Sequence, residues 1–523
     1  MRYFFFWIIL FPPLVSAQNT NLSQSRIFDG EPFIAVNPSD AQHMVVAWMG
    51  FEPGQQFVIH TRATFDAGKT WSGPVLIPHE KLGYSSPDPC LAFGPQGRVH
   101  LSYIDFNPGI DSGEVYVRTT VDGGLSWGPA AFVIGMRSDP GSKPIDRPWM
   151  VVDRSGGPND GNVYVTTMNL AFGGGVPPPY HVYITRSTDG GASFQPWRYL
   201  DSANFEVGSI LAAPMPTPAM SSTGMLQIVY PTYVLRASRF PRYILATSTD
   251  GGLGFSYREI LEYREGTPDS LSKKGYLLRV NPANDQHLVF CYLGAPNGDT
   301  DVFLRESLDG GLTWSNAMRV NDDPALVPRV QDMIWADFDL DGDLVVVWRD
   351  RRTGMGNTYE AASETWAAVK RKNQPSFEPN FRVSDALIPY DSVLTSAGND
   401  FMCVKLMNDT LNAVWGDTRD GNINIWFQRM GLDGTVMSRQ QLGRGSLPSV
   451  KVYPNPAQEE VTVSGIHLKH IHLMDLSGKL VLEKKLVNQP NEFSLLLANI
   501  SPGMYQIVVE DKLGKVVQKL EIK

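Results

Sequence analysis

Thr64-Phe65-Asp66-Ala67-Gly68-Lys69-Thr70-Trp71 is the first of five versions of one eight-residue phrase. The second is Thr120-Val121-Asp122-Gly123-Gly124-Leu125-Ser126-Trp127, and the third Ser187-Thr188-Asp189-Gly190-Gly191-Ala192-Ser193-Phe194. Ser248-Thr249-Asp250-Gly251-Gly252-Leu253-Gly254-Phe255 and Ser307-Leu308-Asp309-Gly310-Gly311-Leu312-Thr313-Trp314 complete the set. Asp66, Asp122, Asp189, Asp250 and Asp309 follow one another at intervals of 56, 67, 61 and 59 residues. Regular recurrence at this length is the mark of a repeat architecture. The chemistry of the phrase is that of a turn: a carboxylate accepts the turn's own N–H groups, glycine supplies a positive φ, and the aromatic packs the hairpin down. These aspartates read as turn staples and are assigned no catalytic role.

A strand leads into each phrase, as in Phe57-Val58-Ile59-His60-Thr61, Glu114-Val115-Tyr116-Val117-Arg118 and His181-Val182-Tyr183-Ile184-Thr185. Farther upstream each unit opens with an apolar run, a turn and a second run, for example Phe33–Val36 and then Met44–Trp48. A sixth unit contains Asp332–Ala336 and Leu344–Trp348, with its phrase eroded to Ser363-Glu364-Thr365-Trp366. A seventh contains Asp400–Val404, Leu411–Trp415 and Ile423–Phe427. With 48 Gly, 38 Pro and 11% aromatics, the composition suits short strands and tight turns. Four short strands per unit, radially repeated, predict an all-β propeller over about residues 25–440, with seven blades and six as the alternative. The phrase is the Asp box, and the repeat resembles that of the sialidase-like (BNR) propellers, which close with six blades. Merged units, or a blade completed by both termini, account for the difference.

The ends of the chain carry addresses. A basic start, an apolar run from Tyr3 to Val15 broken by Pro12-Pro13, and the small-x-small site Val15-Ser16-Ala17 read as a signal peptide, residues 1–17. The apolar run is too short for a membrane span, so no span is expected once it is removed. A linker at Gly443–Pro448 precedes residues 449–523. That segment carries Tyr453-Pro454-Asn455-Pro456, Asp475-x-x-Gly478-Lys479 and Pro502-Gly503-x-Tyr505, and predicts a small β-sandwich. It resembles the type A sorting domain of the type IX secretion system, which implies that machinery as a partner and a secreted or outer-surface location. A net charge of −9 offers no basic face for nucleic acid. Cys90, Cys291 and Cys403 sit in apolar runs and read as buried thiols, one pair being free to bridge in an oxidising compartment.

The sialidase resemblance implies a glycosidase with a Tyr nucleophile, a Glu that activates it, an Asp acid/base and three Arg that clamp a substrate carboxylate. Arg suits that clamp because its planar fork donates two parallel hydrogen bonds. Ser25-Arg26-Ile27-Phe28 matches two positions of the family's first clamp motif, and Arg329, Arg349, Arg351 and Arg352 are further clamp candidates. Tyr390 and Tyr359-Glu360 fall in the nucleophile region by order along the chain. A more regular pattern is an acid just before the first strand of several units: Glu31, Asp88, Asp146, Asp332 and Asp400. In a propeller these gather at one channel mouth, where they bind a ligand, perturb one another's pKa, or cap neighbouring loops. Asp146, Glu31 and Tyr390 are thus the catalytic candidates, and Arg26, Asp88, Arg147, Asp332, Arg349 and Asp400 the ligand-binding ones.

Asp337-Phe338-Asp339-Leu340-Asp341-Gly342 resembles a calcium loop, but Trp348 stands where the loop needs Glu, so it reads as a hairpin turn. Trp348-Arg349-Asp350-Arg351-Arg352 and Trp415-Gly416-Asp417-Thr418-Arg419-Asp420 read as charged contacts between blades. No zinc spacing, phosphate loop or Ser-His-Asp order is present, and neither metal nor cofactor is expected. Two readings stay open: a sialidase-like glycoside hydrolase, and a non-catalytic propeller that binds glycan or protein at the cell surface.

Overall fold

The computed structural model describes residues 19–437 and 451–523, apart from 110, 170–175, 203, 265–274, 297, 326, 357, 359, 390–397, 465–467, 476–479, 487, 489, 499 and 512–513. The segment read as a signal peptide lies outside the described residues. The chain divides into two compact units, Met1–Met437 and Ser438–Lys523. The described secondary structure is strand throughout, save one 3-10 turn at Pro95–Gly97.

The first unit contains seven antiparallel sheets of four strands. Their first strands are Asp29–Asn37, Cys90–Phe93, Asp146–Val152, Thr217–Met220, Tyr276–Val280, Gln331–Phe338 and Cys403–Met407. Each touches the next, and Cys403–Met407 returns to Asp29–Asn37, so the sheets close into a ring around these strands: a β-propeller. The last sheet is completed by both ends of the unit. Thr20–Asn21 pairs with Asn424–Gly431, Thr20 opposite Phe427. The boundary expected at residue 25 therefore cuts away the strand that closes the ring, because a two-residue strand carries no periodicity to read. Sheets stacked on both faces explain why runs such as Met44-Val45-Val46-Ala47-Trp48 are buried at every position instead of alternating.

The five aspartate turns share one geometry. In the first, the Asp66 carboxylate accepts the Thr64 hydroxyl (2.8 Å), the Thr70 amide (2.8 Å) and the Thr70 hydroxyl (2.7 Å), and the Thr64 Oγ1 accepts the Gly68 amide (3.0 Å). Asp122, Asp189, Asp250 and Asp309 repeat the pattern. Hydrogen bonds from Ser187 and Ser193 hold the exposed Asp189 carboxyl down at about 2. The turn also clasps the preceding sheet. Gly68 has φ 80°, and a Cβ there would lie 2.6 Å from Phe427 of the last sheet. Gly311 meets Leu245 of the fourth sheet in the same way. The Trp127 indole donates to Thr61 Oγ1 of the first sheet (3.0 Å). Ser363-Glu364-Thr365-Trp366, read above as an eroded copy, instead opens the third strand of its sheet, Glu364–Lys370. The turn that follows that strand has no aspartate staple.

The second unit has a three-stranded sheet of Lys451–Tyr453, Glu460–Ser464 and Glu492–Leu496. Its other sheet runs Leu480–Lys485, His470–Asp475, Gly503–Asp511, Gly514–Ile522. Val461, Val463, Ile471, Leu473, Ile507 and Leu520 form a core of their own. All three cysteines are free and buried.

Removing a turn carboxylate deletes several charge-assisted bonds at an exposed site. Asp122→Ala is therefore expected to cost ~1–2 kcal/mol in denaturant unfolding. Gly68→Ala, strained in φ and pressed against the buried Phe427, is expected to cost more, ~2–3 kcal/mol. Equal, near-zero losses would show that these turns do not hold the ring.

Candidate functional site: the channel mouth

Glu31, Asp88, Arg147 and Met333 share an uncommon backbone, with φ of 55°, 55°, 55° and 54° at the head of their inner strands. Proline follows the first three, and the strand pairing slips at Gly30/Phe33, Asp146/Trp149 and Asp332/Trp335. A non-glycine residue in this region stores strain that the surrounding structure must hold. The bulge also sets which side chain faces the channel. The five acids consequently do not form one set. Glu31 and Asp88 occupy the bulge position, where the third sheet places Arg147. Asp146 and Asp332 stand one residue earlier.

Arg147 is the hub. Its Nη1 lies 3.0 Å from Asp88 Oδ1, and its Nη2 lies 2.5 Å from Asp400 Oδ2 and 3.8 Å from Glu31 Oε1. Glu31 in turn accepts the Asp88 amide (3.2 Å). Only 1% of Arg147 is exposed, and Glu31, Asp88, Asp146 and Asp400 are all buried. Burial opposes the charge, but Asp88, Asp400, Glu31 and Asp146 outweigh it and hold the guanidinium above its ordinary pKa. The guanidinium also sits 4.9 Å from the ring centre of Phe401. Phe401, Phe33, Trp149 and Trp335 pack against one another as an aromatic layer across the channel.

Asp332 belongs to a second cluster. Arg349 grips it with two nitrogens, Nε to Oδ1 at 2.7 Å and Nη2 to Oδ2, while Arg351 Nη1 reaches Oδ1 at 3.3 Å and the Val330 carbonyl at 3.1 Å. All three are buried. Burial raises the Asp332 pKa, yet Arg349 and Arg351 outweigh it and keep the carboxyl well below the usual range. Arg352 is taken up by Asp350 (2.9 Å) and by Asp322 of the preceding connection (2.6 Å), 4.1 Å over the Trp366 ring. Arg419 repeats this on Asp417 and Asp385, 4.2 Å over Trp426. Arg329 is half-buried and donates to the Pro328 carbonyl. Arg26 is exposed and makes no ion pair among the described residues. Tyr390 and Tyr359 lie outside the described residues, and Glu360 is exposed. The structure thus brings Glu31, Asp88, Asp146, Arg147 and Asp400 together. It sets Asp332 with Arg349, and joins Arg26 to neither cluster. Among the described residues, no group of three or more His, Cys, Asp or Glu is placed to hold a metal ion.

Sequence reading passed over Asp29, two residues before Glu31. The Trp48 indole donates to its Oδ1 (2.9 Å), and His60 stacks on Trp48. Burial pushes the Asp29 carboxyl up to about 7, against lowering hydrogen bonds from Ser23, Trp48 and Ser25. A raised pKa at a channel mouth is a catalytic signature, but Asp29 is only 2% exposed and faces the indole, so no substrate reaches it. The folded chain therefore keeps a proton that the unfolded chain, with a carboxyl near 3.8, gives up. Its contribution to stability falls as pH rises from about 4 to 7 and is level above that. Asp29→Asn is expected to gain on the wild type between pH 4 and pH 8, by at most ~4 kcal/mol, in paired melts. A gap that stays constant across that window would contradict this.

Residues 451–523 match the family described as Secretion system C-terminal sorting domain. No curated protein sequence matches the chain. Among solved structures it is similar to an alpha-L-arabinanase of Penicillium chrysogenum complexed with arabinobiose, at 12% identity and TM-score 0.44, covering 80% of this chain and 99% of that one. The Hadza microbial sialidase Hz136 is similar at 13% identity and TM-score 0.44, with 73% and 75% covered. The NanB sialidase of Streptococcus pneumoniae is similar at 11% and 0.40, with 80% and 70% covered. Among the described residues no helix is long and apolar enough to cross a membrane. The chain is an all-β propeller followed by a type IX secretion sorting domain, which marks it for secretion.

Proposed function

We propose that this protein is a secreted propeller that binds carbohydrate at its channel mouth and does not hydrolyse sialosides. The observation that carries the reading is the commitment of the mouth's arginines. Arg147, Arg349 and Arg351 are buried and already paired with Asp88, Asp400 and Asp332. A clamp for a substrate carboxylate must present a guanidinium edge to the ligand, and Arg147, Arg349 and Arg351 are at most 5% exposed. Here, drawing one out breaks a buried ion pair, a change that costs ~3–5 kcal/mol.

The same end of the propeller carries the long connections, residues 78–89, 200–216 and 233–241. The first and second strands at the opposite end are joined by as little as Pro38-Ser39 or Asn408-Asp409. Long loops on a rigid scaffold are where binding surfaces are built. The carbohydrate class follows from the resemblance of the repeat to sialidase-like propellers. A signal peptide at residues 1–17 starts the export, and the sorting domain directs the chain to release or attachment at the outer surface.

Incubation of the mature protein with a fluorogenic sialoside and a panel of other glycosides, beside a glycan array, tests the reading. The expected result is no turnover and saturable binding to at least one glycan class. Sialoside turnover abolished by Glu31→Gln or Asp146→Asn would overturn the non-hydrolytic half. A silent array would overturn the carbohydrate half.

A further inference from the structure

Below the aromatic layer, the channel opens into a cavity of about 240 Å³ lined by the ends of all seven inner strands. This is the end where the first strands finish and the aspartate turns lie, opposite the mouth. Phe33, Trp149 and Trp335 lie on its apolar side. Its polar side is cationic: Arg154, Arg279 and Lys405 face a single acid, Asp337.

The partners of these groups are few. Arg279 is held by two backbone carbonyls, Nε to Ala336 (2.8 Å) and Nη1 to Leu278 (2.9 Å), its Nε lies 3.8 Å from Asp337 Oδ1, and its guanidinium is 5.2 Å from the Trp335 ring centre. Its Nη2 makes no hydrogen bond to a described residue. Lys405 Nζ lies 3.2 Å from Asp337 Oδ1, and Asp337 Oδ2 is already taken by the Leu406 amide (3.0 Å). Arg154 is exposed at the rim of the cavity and has no hydrogen bond or ion pair among the described residues. Three cations around one carboxylate give the cavity a net positive charge beside the apolar wall of Phe33, Trp149 and Trp335. Burial holds Arg279 below the ordinary guanidinium range, with Asp337 opposing it.

We propose that this cavity binds a compact organic anion, a single carboxylate on an apolar body. The carboxylate lies between Arg154 and the unbonded Nη2 edge of Arg279, and the apolar part rests on Trp149 and Trp335. Arginine stays charged under burial and presents a fork matched to a carboxylate. Ligand pockets usually span roughly 300–1,000 Å³, so a cavity of about 240 Å³ suits a small molecule. The site is separate from the mouth, on the far side of the aromatic layer.

The probe is benzoate, titrated into the full mature protein by calorimetry, with benzyl alcohol and inorganic sulfate as the neutral and the purely ionic controls. Benzoate is expected to bind saturably, about tenfold tighter than either control. In Arg154→Gln the affinity is expected to fall about tenfold with the melting temperature unchanged, since that side chain supports no contact in the fold. Lys405→Gln is expected to weaken benzoate less, because Asp337 already takes part of its charge. Equal binding of benzoate and benzyl alcohol, equal binding of benzoate and sulfate, or full affinity in Arg154→Gln would each overturn the proposal.

Discussion

A single guanidinium on the channel axis holds carboxylates that come from three other sheets of the ring. Arg147 stands in the third sheet, Glu31 in the first, Asp88 ahead of the second and Asp400 ahead of the seventh. Removing that charge would strand the buried anions that face it. Removing one acid would leave the cation more exposed to its own desolvation cost. The hub thereby fixes the spacing of the inner strands at the mouth, and the positive-φ residues around it are tolerated because this network over-determines their backbone.

The aromatic layer beneath the hub gives the channel two ends of different character. Phe401 receives Arg147 on one side, and Trp335 receives Arg279 on the other. Above the layer acids outnumber the one guanidinium they face. Below it cations outnumber the one acid. That asymmetry separates the two proposals: long loops around a self-satisfied mouth suit a large, neutral or weakly charged ligand, while the cationic cavity suits a small anion. A propeller scaffold permits both, because its rigidity comes from the clasps between sheets and not from either end of the channel.

Much of the fold was legible because the aspartate turn is a local device whose own hydrogen bonds lie within eight residues, so its spacing reports the sheets directly. The closing strand Thr20–Asn21 was not, since two residues carry no pattern. Ser363–Trp366 misled because Ser363 and the strand start Glu364-Thr365-Trp366 that follows it imitate the polar and aromatic ends of the phrase. At the mouth, the acids were visible but their grouping was not. A one-residue offset at the bulge puts Arg147, not Asp146, where the first two sheets place Glu31 and Asp88, and no periodicity records a bulge. The role of Arg147 depends on Asp400, 253 residues away, which only closure of the ring brings near. Arg154, Arg279 and Lys405 belong to no motif at all and meet only because three inner strands end at the same level.

The account therefore stands on the charge of Arg147 being spent inside the protein. A double-mutant cycle of Arg147→Met and Asp400→Asn, read by reversible denaturant unfolding, measures that commitment directly. The account requires each single change to destabilise and the pair to be coupled by about 2–3 kcal/mol. Additive losses, with no coupling, would mean that the guanidinium is available to a ligand and would contradict it.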